Sequence, residues 1–163
     1  MAAIIRKATT SDVESIRIHM QSVYDDETDM HRFPYNTITS FFIEEILNDP
    51  LSLFLLAESE GNILGMLYLW DRGEVPGTVE LAMSVAWQWR NKGIGKQLLK
   101  AAVDWANQAT TVKAIDLDVF QRNEPAFHLY KSFGFKLEEP ARRMTNQRGE
   151  LLDIVRMSLS TIS

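Results

Sequence analysis

The chain has 163 residues, 45% of them hydrophobic and 24% charged, the balance of one folded domain with a single sizeable core. Its formal net charge of −5 argues against nucleic acid as the main partner, because neutralising phosphates needs a basic surface. With no cysteine, a disulfide framework, a thiolate metal site and a cysteine nucleophile are all excluded, and a reducing, cytoplasmic setting is the expectation.

The first twelve residues lack the apolar run of a signal peptide. The longest apolar run, 51–57, is too short to span a membrane, so no membrane partner is expected. Residues 4–8 alternate weakly as a first strand. The Thr9-Thr10-Ser11-Asp12 cluster supplies N-cap residues for a helix from Asp12 to Tyr24, with Val13, Ile16, Met20 and Val23 on one side. Residues 25–37, acidic and then aromatic, form a loop around Pro34 and Asn36. A second helix over 38–47 stops at Asn48-Asp49-Pro50. Strands over 51–58 and 63–70 read as a hairpin, followed by a turn at 71–77 and a strand over 78–85.

After Val85 the chain crosses a polar turn and enters a helix to about Gln108, whose apolar stripe is Ile94, Leu98, Ala101, Ala102 and Trp105. The turn reads Arg90-Asn91-Lys92-Gly93-Ile94-Gly95. Glycines at a helix mouth let the backbone approach a ligand closely, and the first helical amides have no internal partner. With Arg90, Lys92 and Lys96 at the same end, the turn suits a phosphate. Neither common phosphate loop fits it. A dinucleotide fingerprint wants glycine where Leu98 stands, and a Walker A loop wants glycine at Arg90 and a hydroxyl at Gln97.

A strand over 113–120 carries Ile115, Leu117 and Val119 on one face and Asp116 and Asp118 on the other. A helix from Asn123 or Glu124 follows, with Pro125 in its first turn and a stop at Gly134. Two last strands are expected over 135–144 and 150–158.

Residues 117–135 contain Leu117-x-Val119, Asn123-x-x-Ala126-x-x-x-Tyr130 and Gly134-Phe135. Together with R-x-x-G-x-G after a strand, this pattern resembles the GNAT family of N-acetyltransferases over most of the chain. Trp87 departs from the family, many of whose members carry proline before the loop. The resemblance implies an α/β fold: a mixed, twisted sheet of six or seven strands flanked by four helices, splayed between strands four (78–85) and five (113–120). It implies acetyl-CoA as co-substrate and no metal. The pantetheine would bond to backbone near Met83 and Val85. The pyrophosphate would lie on the amides of residues 90–96, with Arg90, Lys92, Gly93, Gly95 and Lys96 around it, and Asn123 would orient the cofactor. Tyr130 would protonate the leaving thiolate; the alternative is a core tyrosine packed with Phe127 and Phe133.

An alkyl amine with a pKa near ~10.4 is almost wholly protonated at neutral pH, so acetyl transfer to it calls for a base. Glu80 and Asp118 are the candidates and Asp116 a third, each equally readable as a solvated strand carboxylate. Tyr24, Phe33 and Tyr35 would wall the acceptor pocket, and the acidic residues of the 25–37 loop would draw in a cationic amine. The histidines have no ligand-like spacing. The expected activity is direct acetyl transfer to a primary amine of a small molecule or amino acid. The rivals are a protein acetyltransferase and an inactive coenzyme A-binding module. A homodimer is compatible with the family.

Overall fold

The structure, a computed structural model, describes residues 2–24, 39–146 and 148–162. In chain order it runs β1 (Ile4–Lys7), a 3-10 turn (Thr10–Asp12), α1 (Val13–Tyr24), α2 (Ser40–Asn48), β2 (Leu53–Ser59), β3 (Asn62–Trp70) and β4 (Thr78–Val85). A 3-10 turn (Trp87–Trp89) then leads to α3 (Ile94–Gln108), β5 (Ala114–Phe120), α4 (Glu124–Ser132), β6 (Lys136–Leu137), β7 (Arg142–Thr145) and β8 (Leu151–Ser160).

The helix starts follow local chemistry. Ahead of α1, the Asp12 carboxylate accepts the Thr9 amide at 2.8 Å and pairs with Arg6. The Thr39 hydroxyl accepts the Phe42 amide at 3.1 Å to cap α2. The Asn123 side-chain oxygen accepts the Ala126 amide at 3.4 Å to cap α4.

The strands form one eight-stranded sheet in the order β1-β2-β3-β4-β5-β8-β6, with β7 also paired to β8. The six or seven strands expected become eight because the stretch expected as one strand over 135–144 divides. Residues 136–137 pair with Ser158 and Met157 of β8, and residues 142–145 pair with Ile154 back to Leu151. Pro140, which has no amide proton, falls between the two ladders.

The sheet buries both faces. α3 and α4 cover one, over Leu55, Leu67, Leu81, Ile115 and Leu117. α1 and α2 cover the other, where Ile16, Met20, Ile43 and Ile46 meet Phe54, Leu56 and Met66. β2 is buried almost throughout, which accounts for its lack of alternation in the sequence.

One pairing is parallel, β4 with β5, and it is short. The register runs Thr78↔Ala114, Val79↔Ile115 and Glu80↔Asp116 and then ends, although β4 continues to Val85 and β5 to Phe120. The two strands therefore part above Glu80 and Asp116 and leave a V-shaped gap, as the sequence reading expects.

Candidate active site

The backbone of β4 dictates what faces the gap. The Ala86 amide donates to Leu64 of β3 at 2.8 Å. Because strand amides alternate in direction, those of Met83 and Val85 point away from β3 and into the V. The Val85 carbonyl faces the same way, and Arg90 Nε donates to it at 3.1 Å. Beyond Glu80 the segment expected to meet a pantetheine thus has no strand neighbour on this side among the described residues, although Arg90 occupies the Val85 carbonyl, and such an edge is where an extended ligand adds like another strand.

The turn after β4 builds the second part. Trp87–Trp89 is a single 3-10 turn, and the Arg90 amide is engaged by the Trp87 carbonyl at 3.2 Å. Gly93, with φ +82°, occupies the left-handed region and caps α3. The first closing bond of α3 runs from Gln97 to Gly93 at 3.1 Å, so the amides of Ile94, Gly95 and Lys96 precede it. A Cβ on Gly95 would sit 3.5 Å from Met83 of β4 and 3.6 Å from Leu129 of α4. The mouth of α3 therefore adjoins the part of β4 that has left β5. Lys92 and Lys96 are exposed beside it. Trp89 packs against the core, and Trp87 is the exposed indole, with the Arg90 guanidinium 5.7 Å from its ring centre.

Tyr130 lies on α4, 7% exposed, against Phe135. Burial pushes its phenol above the ordinary tyrosine value, so it is protonated at neutral pH. Its hydroxyl makes no hydrogen bond among the described residues. A buried hydroxyl without a partner is costly, and such groups commonly mark a site completed by something else.

The opposite mouth of the V, on the α1–α2 face, is charged. Glu80, Asp116 and Asp118 all meet one cation, Arg156 of β8. Its Nη1 and Nη2 lie 3.0 and 2.7 Å from the two Glu80 oxygens. Nη1 also reaches Asp118 Oδ1 at 3.1 Å, and Nη2 reaches Asp116 Oδ2 at 3.4 Å. Glu80 above all holds the guanidinium charged beyond its ordinary range. Arg142 of β7 donates to the same Asp118 oxygen at 2.8 Å. None of the three carboxylates is the solvated strand residue of the simpler sequence reading. They are one network, in which both Glu80 oxygens are clamped and Asp118 Oδ2 is left open among the described residues.

Aromatic rings adjoin this network. Phe42 packs edge-on to Tyr68 and Trp70, with centroids at 5.8 and 4.9 Å. Burial, reinforced by the Glu80 charge, pushes the Tyr68 phenol up to about 12. His19 of α1 is buried, with Nε2 3.3 Å from the Ser84 hydroxyl on the open arm of β4. Burial lowers it to about 4, so it is neutral at pH 7. Nothing in the sequence signals that His19 and Ser84 meet, nor that Arg142 and Arg156 join the carboxylates. Those contacts depend on sheet order and register. Tyr24 ends α1 and is half-buried, while Phe33, Tyr35 and the rest of 25–38 lie outside the described residues. No group of three or more His, Cys, Asp or Glu suited to a metal ion occurs among the described residues, and none of the described helices is long and apolar enough to cross a membrane.

A sheet split between two parallel strands, with a glycine-mouthed helix following the first of them, is the frame of an acyl-coenzyme A-dependent transferase. The chain belongs to the Acetyltransferase (GNAT) family, whose profile matches residues 20–135. It is similar to the L-amino acid N-acetyltransferase of Escherichia coli (strain K12), 27% identical over 158 residues, which are 95% of this chain and 96% of the relative. The same fold occurs in a GNAT-family acetyltransferase of Streptococcus pneumoniae, with a TM-score of 0.84, 23% identity, and 97% of this chain and 99% of that one covered. It also occurs in a GNAT phosphinothricin acetyltransferase of Sinorhizobium meliloti in complex with acetyl-CoA, with a TM-score of 0.82, 20% identity, and 99% and 89% covered.

Proposed function

We propose that this protein transfers the acetyl group of acetyl-CoA directly to the primary amine of a small molecule, with a free amino acid as the favoured acceptor. The observation that carries this reading is the buried hydroxyl of Tyr130, without a partner among the described residues, on the helix that follows one arm of a strand gap whose other arm leads into the first amides of α3. The pyrophosphate rests on the amides of residues 94–96, with Lys92, Lys96 and Arg90 around it. The pantetheine then follows the Met83 and Val85 backbone, and Asn123 orients it through its amide. Because β4 and β5 pair only as far as Glu80 and Asp116, a chain entering from the α3 end would run along the Met83 and Val85 backbone and hold its thioester there.

The acceptor enters from the α1–α2 face. Three carboxylates against two guanidiniums leave one negative charge in excess there, which favours an approaching ammonium. Asp118 Oδ2, directly or through a water, takes the amine proton, while Glu80 acts as a fixed charge. The neutral nitrogen attacks the thioester carbon, and the Val85 amide donates to the developing oxyanion. The C–N bond forms first, giving a tetrahedral intermediate. As it collapses the C–S bond breaks, Tyr130 gives its proton to the thiolate, and the second proton lost by the nitrogen passes through water and returns Tyr130 to its phenol form. The absence of cysteine is consistent with direct transfer rather than an acyl-enzyme.

The test is release of free thiol from acetyl-CoA with a panel of amines, amino acids and short peptides. Release with amino acids or small amines supports the reading. Release with peptides alone points to a protein acetyltransferase. Silence across the panel, with coenzyme A still raising the melting temperature, points to a binding module.

A further inference from the structure

The Arg142–Asp118 pair lies on the α1–α2 side of the sheet, where Arg142 shares with Arg156 the charge of three carboxylates. Asp118 lies two residues beyond the last β4–β5 pair, on the part of β5 that has lost its β4 neighbour. Arg156, opposite Asp118 in the β5–β8 register, reaches the same oxygen but is shared with Glu80 and Asp116. Arg142 arrives from β7, opposite Ile154 of β8, and adds a second guanidinium to the same oxygen. It uses one Nη for that contact, and its side chain keeps 47% of its surface exposed. A guanidinium has five N–H donors in a planar fork that matches a carboxylate. Arg142 is thus about half exposed and anchored by Asp118 through one Nη, while Oδ2 of that aspartate has no partner among the described residues.

We infer that Arg142 is a specificity-determining residue that binds the carboxylate of an α-amino acid acceptor while Asp118 faces its amine. This rests on the acetyltransferase reading above and deepens it. The warrant is charge geometry. In an α-amino acid, opposite charges are one carbon apart. A pair of side chains in direct contact, Nη2 to Oδ1 at 2.8 Å, presents the complementary charges at the same spacing. A polyamine offers Arg142 no carboxylate and brings a further cation near its guanidinium. A peptide N-terminus has a neutral amide there and forgoes a charge-assisted contact.

The experiment compares L-phenylalanine with L-phenylalaninamide, which keeps the amine and side chain and lacks the negative charge. Each is assayed with wild type, R142Q and R142K. For wild type, kcat/KM favours the free acid. In R142Q the ratio of kcat/KM for acid over amide falls by roughly 10- to 100-fold, mainly through KM for the acid. R142K restores part of it, because it keeps the charge and loses the fork. An unchanged ratio in R142Q, or equal loss on both substrates, overturns the inference. If wild type acetylates the amide as well as the acid, the inference also fails while the acetyltransferase reading stands. If wild type acetylates neither substrate nor any other amine of the panel, the acetyltransferase reading itself has failed and takes this one with it.

Discussion

Arg156 of β8 reaches past β5 and grips both carboxylate oxygens of Glu80 on β4, at 3.0 and 2.7 Å. The contact joins the two arms of the V at its vertex, on the last rung where β4 and β5 still pair. A bidentate guanidinium is directional, so it holds the strands' separation as well as their charge. Replacing Arg156 with methionine leaves three half-buried carboxylates facing one another. We expect a loss of about 2 kcal/mol of stability in urea unfolding, less than for a fully buried pair because the side chains are 20–27% exposed. Arg156→Lys should recover the charge and part of the stability. An unchanged unfolding midpoint in both variants would show that the clamp contributes nothing.

Tyr130→Phe separates chemistry from packing. The variant removes a hydroxyl without a partner among the described residues, so the fold should be as stable as wild type or slightly more so. Turnover should fall by about 100-fold, the usual scale for losing a general acid, with KM for acetyl-CoA changed little. Full turnover in the variant would return Tyr130 to the core.

The two glycines of the turn should respond in opposite ways. Gly93 has φ +82°, so Gly93→Ala places a side chain in the left-handed region and should cost about 1 kcal/mol of stability. Gly95 is an ordinary helical residue, and its added methyl would make normal contacts with Met83 and Leu129. Gly95→Ala should therefore raise stability by about 0.5–1 kcal/mol. The same methyl stands where the mouth of α3 adjoins β4, so coenzyme A affinity by calorimetry should drop roughly tenfold. Undiminished affinity in Gly95→Ala would move the ligand elsewhere.

His19 predicts an acid-sensitive fold. It titrates near 6.5 when unfolded and at about 4 when buried, so the unfolded chain binds the proton first. The stabilisation is complete above about pH 6.5 and is lost as pH falls from there to about 4, by roughly 3 kcal/mol in all. Urea midpoints of wild type at pH 7.0, 5.5 and 4.5 should decline, and His19→Gln should flatten that decline. Parallel slopes for the two proteins would assign the acid sensitivity to other groups. Asp12 adds a lower window. Arg6 holds it at about 2, so its contribution is lost only as pH falls through about 3.8 to 2.

The sequence by itself determined the elements and the motifs on which the proposed cofactor side of the site rests. Strong local signals did this: a cap at Asn123, glycines at 93 and 95, an apolar stripe along α3, and turn residues at each strand end. Each acts within a few residues and holds in any tertiary setting. The boundaries of β4 and α4 needed no correction for the same reason. What only the tertiary structure decided is the acceptor side. Glu80, Asp116, Asp118, Arg142 and Arg156 come from four strands, and the contacts among them depend on β8 pairing with β5 in one register. A slip of one residue would turn Arg156 to the opposite face and leave the carboxylates unpaired. The same holds for His19 and Ser84, 65 residues apart in the chain. Their meeting follows from α1 packing across the open arm of β4, which no local pattern encodes.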